Sequence, residues 1–159
     1  MGMAVLGAVT ALVVSLAQAG DPSTLGYTAE PGAWPVSGSR TWTEPTDEVR
    51  AFELDGVLVV DGEDSSGWDW FRVELAGANG APLGVGSYTG GNFRLHPETA
   101  GVNLISGGLG SGDGPAEFTI STLERDPVTG RVSALDVEVT VHNGSPTGPG
   151  IDIRAHYEA

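Results

Sequence analysis

Hydrophobic and polar residues alternate with a period of two along much of the chain, most clearly between residues 68 and 76. Phe71, Val73 and Leu75 share one side of this segment, because successive side chains of a β-strand point to opposite faces. The other side carries Trp68, Trp70, Arg72 and Glu74. Asn79-Gly80 follows and supplies residues that tolerate positive φ, as a tight turn requires. The pattern predicts a central strand with one core face and one tryptophan-bearing face.

The strongest local signal is a pair of β-rich runs, residues 49–54 and 57–60, on either side of Asp55-Gly56. Asp-Gly is a preferred pair in the two-residue type I′ turn that joins antiparallel strands. These residues therefore predict a β-hairpin. Residues 92–95 are predicted to form a further short strand after a glycine-rich segment.

Three longer alternating segments close the chain, at residues 116–125, 131–142 and 151–157. The middle one is predicted to have a buried face and a wet face, as an antiparallel sheet allows. Its inward residues are Leu135, Val137, Val139 and Val141. About nine short strands separated by turn residues, with no helical periodicity, predict an all-β protein. The expected architecture is an antiparallel β-sandwich of the immunoglobulin-like or jelly-roll-like kind.

The chain begins differently from the rest. Residues 4–16 form an apolar run, and Ala17-Gln-Ala19 is a small-residue pattern of the kind that signal peptidase cleaves. We therefore predict a signal-peptide helix over residues 1–19 and a single β-sandwich domain over residues 20–159. A retained membrane anchor is the alternative. The run is short for a membrane span, which favours a secreted, extracellular protein.

Charge and composition narrow the classes of partner. The formal net charge is −14, and all seven basic residues are arginine. Nucleic acids and anionic membranes both require a basic surface, so neither is an expected partner. The chain has no cysteine, which excludes thiol nucleophiles and cysteine-ligated metals. The expected partner is an extracellular protein or a polysaccharide, bound by a monomer.

Several motifs resemble a known family. They are Pro31-Gly-Ala-Trp34, Gly67-Trp-Asp-Trp-Phe71 and the segment 75–88, which contains Gly-x-x-Leu-x-x-Gly-x-Tyr. Together they are similar to a family of uncharacterised secreted β domains of bacteria, of an actinobacterial type. The resemblance implies a β-sandwich and no catalytic residue. That family has a cysteine pair where this chain has Ser111 and Asn143, so the cross-link is absent here.

Aromatic residues are the first candidates for a binding site. Trp68 and Trp70 lie two residues apart on one predicted face, and Arg72 continues the row with hydrogen-bond donors. Flat aromatic pairs can stack on sugar rings, which makes this face a candidate glycan platform. Trp34 and Trp42 join it if their loops fold over the same face. The alternative is that these rings pack under a loop or close the core.

Acidic residues suggest one possible cofactor, calcium. Asp61, Glu63 and Asp64, with Asp69 nearby, supply carboxylate oxygens of the kind that Ca²⁺ binds. Their spacing does not match an EF-hand loop, so solvated acids of a turn are the alternative interpretation. The three histidines share no metal-binding spacing, and no nucleophile motif is present. The protein is therefore predicted not to be an enzyme.

These observations favour a secreted, non-catalytic β-sandwich module that binds or interacts, with glycan recognition through surface tryptophans as its most specific form. A structural or accessory extracellular protein without a small-molecule site is the main alternative. A hydrolase with an unrecognised site is the third. Exposure of Trp68 and Trp70 separates the first two, because a binding platform requires rings that reach solvent.

Overall fold

The computed structural model describes residues 20–159, and more than half of these residues lie in strands. The helical part of this region is a single 3-10 turn at Ala78–Gly80. The all-β prediction is confirmed, whereas the predicted signal-peptide helix lies outside the described residues. No helix between residues 20 and 159 is long and apolar enough to cross a membrane. The strands are Thr24–Ala29 (β1), Gly38–Thr43 (β2), Glu48–Leu54 (β3), Val57–Glu63 (β4), Trp70–Ala76 (β5), Gly86–Gly91 (β6), Ala100–Ser106 (β7), Leu109–Gly110 (β8), Ala116–Arg125 (β9), Val132–His142 (β10) and Gly150–Glu158 (β11).

These strands form one continuous hydrogen-bonded sheet in the order β2-β1-β11-β10-β9-β6-β7-β5-β4-β3. The short strand β8 lies off this path and pairs with β7. Every pairing is antiparallel except a short parallel one between β6 and β7. The chain therefore builds one long sheet that is nearly closed on itself.

Three aromatic rings show where the sheet folds back over its core. Tyr27 of β1 lies 5.0 Å from Phe71 of β5, measured between ring centroids, although the two strands are far apart along the sheet. Trp42 of β2 stacks on the same Phe71 ring at 6.0 Å with an interplanar angle of 13°. Trp42 also packs against Gly62 of β4, where a Cβ atom would lie 2.9 Å from its indole ring. One end of the sheet thus meets the strands near its other end.

The alternating faces of the late strands supply much of the core, as predicted. The inward residues of β10 are buried, and so are Ala116, Phe118 and Ile120 of β9. Tyr88 of β6 stacks on Phe118 at 4.7 Å, which extends the core under the neighbouring strand. Each fully buried large apolar side chain contributes about 1.5–3 kcal/mol, so this alternation is a main source of stability.

The β3–β4 hairpin is confirmed at its predicted turn. Asp55 has a φ of 51° and Gly56 a φ of 79°, the pair of positive angles that a type I′ turn requires. Residues 48–54 pair in register with residues 57–63.

Two local predictions need correction. The tryptophan strand begins at Trp70, so Trp68 lies in the preceding loop rather than on the strand face. Residues 92–95 form turns and not a strand. They belong to a segment that lies closely over β7, because a Cβ atom at Gly101 would lie 2.9 Å from the backbone nitrogen of Phe93. This covering segment explains why polar residues of the outer sheet face are buried beneath it.

Candidate functional site

The loop between β4 and β5 is organised by Asp64. Its Oδ1 accepts hydrogen bonds from the Ser66 hydroxyl at 2.7 Å, the Ser66 amide at 3.1 Å and the Asp69 amide at 3.3 Å. Backbone bonds from Asp64 N to Asp69 O and from Gly67 N to Asp64 O close the loop. The hydrogen bond from Ser66, ahead of the other contacts, lowers the pKa of Asp64 and keeps it ionised. The loop is therefore held in one conformation by its own side chains.

Trp68 projects from this loop into solvent, with 88% of its surface exposed. Its backbone amide donates to the Ser66 hydroxyl at 3.3 Å. The next residue, Asp69, accepts a hydrogen bond from Arg40 Nε at 2.7 Å, which ties the loop to β2. An indole that is exposed and yet anchored on both sides of its backbone can meet a ligand without a large ordering cost.

A cleft of about 260 Å³ lies beside the loop, on the outer face of β3, β4 and β5. Trp70 and Glu63, which are cross-strand partners, form part of its wall. Arg50 and Arg72 also line it, together with Asp61, Gly62, Gly67 and Phe71. The cleft therefore combines an aromatic surface with hydrogen-bond donors and acceptors.

An ion-pair ladder crosses the floor of the cleft. Arg72 donates from Nε and Nη2 to the two carboxylate oxygens of Asp61, at 2.6 and 3.0 Å. Arg50 Nη2 lies 3.5 Å from Asp61 and 3.6 Å from Glu63. The hydrogen bond to Asp61 raises the pKa of Arg72, so the guanidinium stays charged. The arginines of the cleft are thus neutralised by carboxylates, and the surface carries no excess positive charge.

The four tryptophans do not form one platform. Trp42 is 1% exposed, packs in the core and donates from Nε1 to the carbonyl oxygen of Asp69 at 3.2 Å, so its ring does not reach solvent as a binding platform requires. Trp34, 48% exposed, donates from Nε1 to the carbonyl oxygen of Gly110 at 3.1 Å. Trp68 and Trp70 are not among the stacked aromatic pairs of residues 20–159. Trp68, Trp70 and Arg72 remain the candidates near the cleft.

The three acidic residues considered as calcium ligands each contact different groups. Asp61 is buried and bound by Arg72, Glu63 lies near Arg50, and Asp64 caps its own loop. In the part of the chain that the structure describes, no group of three acidic, histidine or cysteine side chains is placed to hold a metal ion. The structure therefore does not bring Asp61, Glu63 and Asp64 together as a cation site.

A buried polar network beside the ladder escaped the sequence-based predictions. Glu74, 6% exposed, accepts hydrogen bonds on Oε2 from Arg94 at 3.0 Å and from Asn103 at 2.9 Å. Asn92 Nδ2 donates in turn to Asn103 Oδ1 at 3.2 Å and to the Ser111 carbonyl oxygen at 3.0 Å. Alternation places Glu74 and Asn103 on the outer face, so only the position of the covering segment could reveal their burial.

Ser111 and Asn143, which stand where the resembled family has cysteines, are both hydrogen-bonded. The Ser111 hydroxyl accepts from the Leu104 amide at 2.9 Å. The Asn143 side chain accepts from the Trp34 amide at 2.8 Å and donates to the Trp34 carbonyl oxygen at 2.9 Å. Asn143 therefore anchors the β1–β2 loop without a covalent bond.

A second pair of titratable groups lies on the last two strands, β10 and β11. His156 Nδ1 donates to Asp136 Oδ1 at 2.7 Å, and the two residues are cross-strand partners on β11 and β10. His156 Nε2 is buried without a hydrogen-bond partner. The hydrogen bond to Asp136 is the main cause that raises the pKa of His156, and burial opposes it. This pair stabilises the sheet most when the histidine is protonated.

No family model, curated protein or solved structure matches the chain. The resemblance to secreted β domains of bacteria therefore stays a prediction.

Proposed function

We propose that this protein is a secreted, non-catalytic binding module that recognises a neutral saccharide at Trp68 and the adjoining cleft. The observation that carries the proposal is the exposure of Trp68 on a loop held by hydrogen bonds. Tryptophan is enriched at binding hot spots, because it offers a large rigid surface with few rotatable bonds. Tryptophan side chains are largely buried on average, as Trp42 of the same chain is, so the exposure of Trp68 is unusual.

The polar groups of the cleft support a neutral ligand with several hydroxyl groups. Asp61 and Glu63 offer acceptors, while Arg50 and Arg72 offer donors within the same small surface. Saccharide hydroxyls donate and accept hydrogen bonds at once, which suits such alternating partners. An acidic glycan is disfavoured, because each of these arginines already has a carboxylate partner and the chain carries a net charge of −14.

The remaining parts of the proposal concern location and architecture. We propose export of a monomer, since residues 1–19 have the composition of a signal peptide and the acidic surface disfavours self-association.

We also propose that the sheet packs as two facing layers in a flattened, sandwich-like arrangement. The contact of Tyr27 with Phe71 supports this, because it joins strands that are distant along the sheet.

The proposal is tested by titrating the domain with polysaccharides and following tryptophan fluorescence and heat of binding. The panel contains neutral glucans, mannans and galactans and one polyuronate. We expect binding of at least one neutral polymer and none of the polyuronate. Trp68→Ala should weaken that binding by about 2 kcal/mol, or roughly thirtyfold, the loss typical of a hot-spot residue.

Val128→Ala is the matched control, because Val128 is an equally exposed apolar residue on the β9–β10 turn. It should leave binding unchanged. Both variants should unfold at the wild-type temperature, since neither residue packs in the core. Unchanged affinity in Trp68→Ala, or no response to any neutral polymer, would reject the proposal and favour a structural or accessory role.

A further inference from the structure

A cavity larger than the cleft near Trp68 lies elsewhere in the described residues. It is an open slot of about 850 Å³ beside β3, the strand at one end of the sheet. Residues 50–53 of β3 form one wall. The opposite wall consists of the β9–β10 turn and the first residues of β10, with Tyr157 and Ala159 from the end of the chain.

The edge of β3, rather than one of its faces, borders the slot. Four consecutive residues line it, namely Arg50, Ala51, Phe52 and Glu53. Alternate side chains of a strand point to opposite faces, so only the strand edge can bring all four to one cavity. Within residues 20–159, β3 pairs with β4 alone. Every second residue of β3 therefore directs its backbone N–H and C=O groups away from β4 and toward the slot.

Some of the charged side chains that line the slot already have hydrogen-bond or ion-pair partners, and one has no ion-pair partner among the residues that the structure describes. Glu53 is bound by Arg125 through two hydrogen bonds of 2.7 and 2.8 Å. Asp126 accepts from the amides of Val128 and Thr129 at 2.9 and 2.6 Å, so it is occupied within its own turn. Arg131 takes part in no ion pair of the described region. The guanidinium of Arg131 is therefore available to a carboxylate of a partner.

We propose that the slot binds an extended peptide segment of another protein, which adds as a strand to the free edge of β3 and places a carboxylate side chain beside Arg131. Strand addition uses the main-chain groups that the edge leaves unpaired, and side chains then set specificity. The four lining residues of β3 span about 10 Å at 3.3 Å per residue, enough for two or three inter-strand hydrogen bonds.

A second copy of this chain fits the slot poorly. Each copy carries a net charge of −14, so two copies repel one another. A peptide with a single carboxylate among uncharged residues avoids most of this repulsion. The slot is distinct from the saccharide cleft at Trp68, which does not line it, although Arg50 borders both.

The test uses the whole domain and an eight-residue probe peptide of alternating valine and threonine with one central glutamate. Two matched probes carry lysine in place of the glutamate, or N-methyl groups on alternate backbone amides. We expect the glutamate peptide to bind in calorimetry and to slow amide hydrogen exchange at alternate residues of 50–53. The lysine peptide should bind at least about tenfold more weakly, and the N-methylated peptide should not bind.

Arg131→Glu should reduce affinity for the glutamate peptide about tenfold and raise affinity for the lysine peptide. Arg154→Glu is the matched control, because Arg154 is a highly exposed arginine on β11 that does not line the slot. Absence of binding, binding without slower exchange in β3, or equal binding of the N-methylated peptide would overturn the proposal. Concentration-dependent protection of β3 without peptide would also overturn it and identify a self-association edge.

Discussion

The contact between Gly62 and Trp42 offers the sharpest test of how the sheet closes. Replacing Gly62 by alanine adds a Cβ atom at 2.9, 3.0 and 3.1 Å from Cδ2, Cγ and Cε3 of the indole ring. Normal carbon contacts lie at about 3.5–4.0 Å, so the ring must move by about 0.5–1 Å. The ring is held by stacking on Phe71 and by its hydrogen bond to Asp69, which leaves it little room to move.

The expected cost follows from these contacts. Overpacking of this kind destabilises the folded protein by about 1–3 kcal/mol. Alanine also reduces the conformational entropy of the unfolded chain relative to glycine, which stabilises the folded state by about 0.4–1 kcal/mol. Gly62→Ala should therefore lower the free energy of unfolding by about 1–2 kcal/mol and Tm by about 3–8 °C. Urea and thermal unfolding, followed by circular dichroism, measure both quantities. Gly110→Ala is the control, because a Cβ atom there meets nothing within 4 Å.

A double variant isolates the contact. Trp42→Leu alone removes a buried ring and should cost about 3–5 kcal/mol. In the double variant the smaller leucine side chain relieves the clash with the added Cβ atom. The double variant should therefore cost less than the sum of the two single variants, by at least about 0.5 kcal/mol. If Gly62→Ala were as stable as the wild type, or if the costs were strictly additive, the inference that β2 packs closely on β4 through Trp42 would be wrong.

Further predictions concern charged pairs. The pKa of His156 is raised in the folded protein, chiefly by its hydrogen bond to Asp136, so the pair contributes fully at low pH and its contribution is lost as the pH rises through that pKa. Unfolding free energy measured from about pH 6 to pH 8 should therefore fall, and Asp136→Asn should flatten this dependence; an unchanged slope would contradict the assignment. Asp61→Asn should cost about 2 kcal/mol in urea unfolding, because it weakens a charged hydrogen-bond pair whose carboxylate is buried. The exposed Glu138, paired with Arg154 at 3.4 Å, is its control, and Glu138→Gln should change stability by less than about 0.5 kcal/mol.

Local sequence signals predicted the strands well where neighbouring residues decide the conformation. Asp55-Gly56 placed the β3–β4 turn, because positive φ at both positions is a property of the two residues themselves. The alternation of residues 132–142 identified the buried face of β10, since each side chain's direction follows from its place in the strand. The strand was predicted to begin at Trp68, two residues before it begins in the structure, because the Asp64 hydrogen bonds that form the loop are invisible in an apolar-polar pattern.

The candidate site was only partly predictable for a related reason. The sequence indicated that Trp68, Trp70 and Arg72 lie near one another, which their separation of a few residues nearly ensures. It could not distinguish Trp42 from them, because the burial of Trp42 depends on Gly62 and Phe71 from strands near the other end of the sheet. Asp61 was likewise considered as a calcium ligand, because its pairing with Arg72 is visible only once the register of β4 on β5 is known.

The sequence by itself determined the all-β class, the main strands and the faces of those strands that meet the core. Turn residues and period-two alternation act over a few neighbouring positions, so they can be read without knowing the fold. Only the tertiary structure decided the strand order, the near-closure of the sheet, the exposure of Trp68 against the burial of Trp42, and the open slot beside β3. These features depend on contacts between residues far apart in the chain, whose energies no local pattern contains.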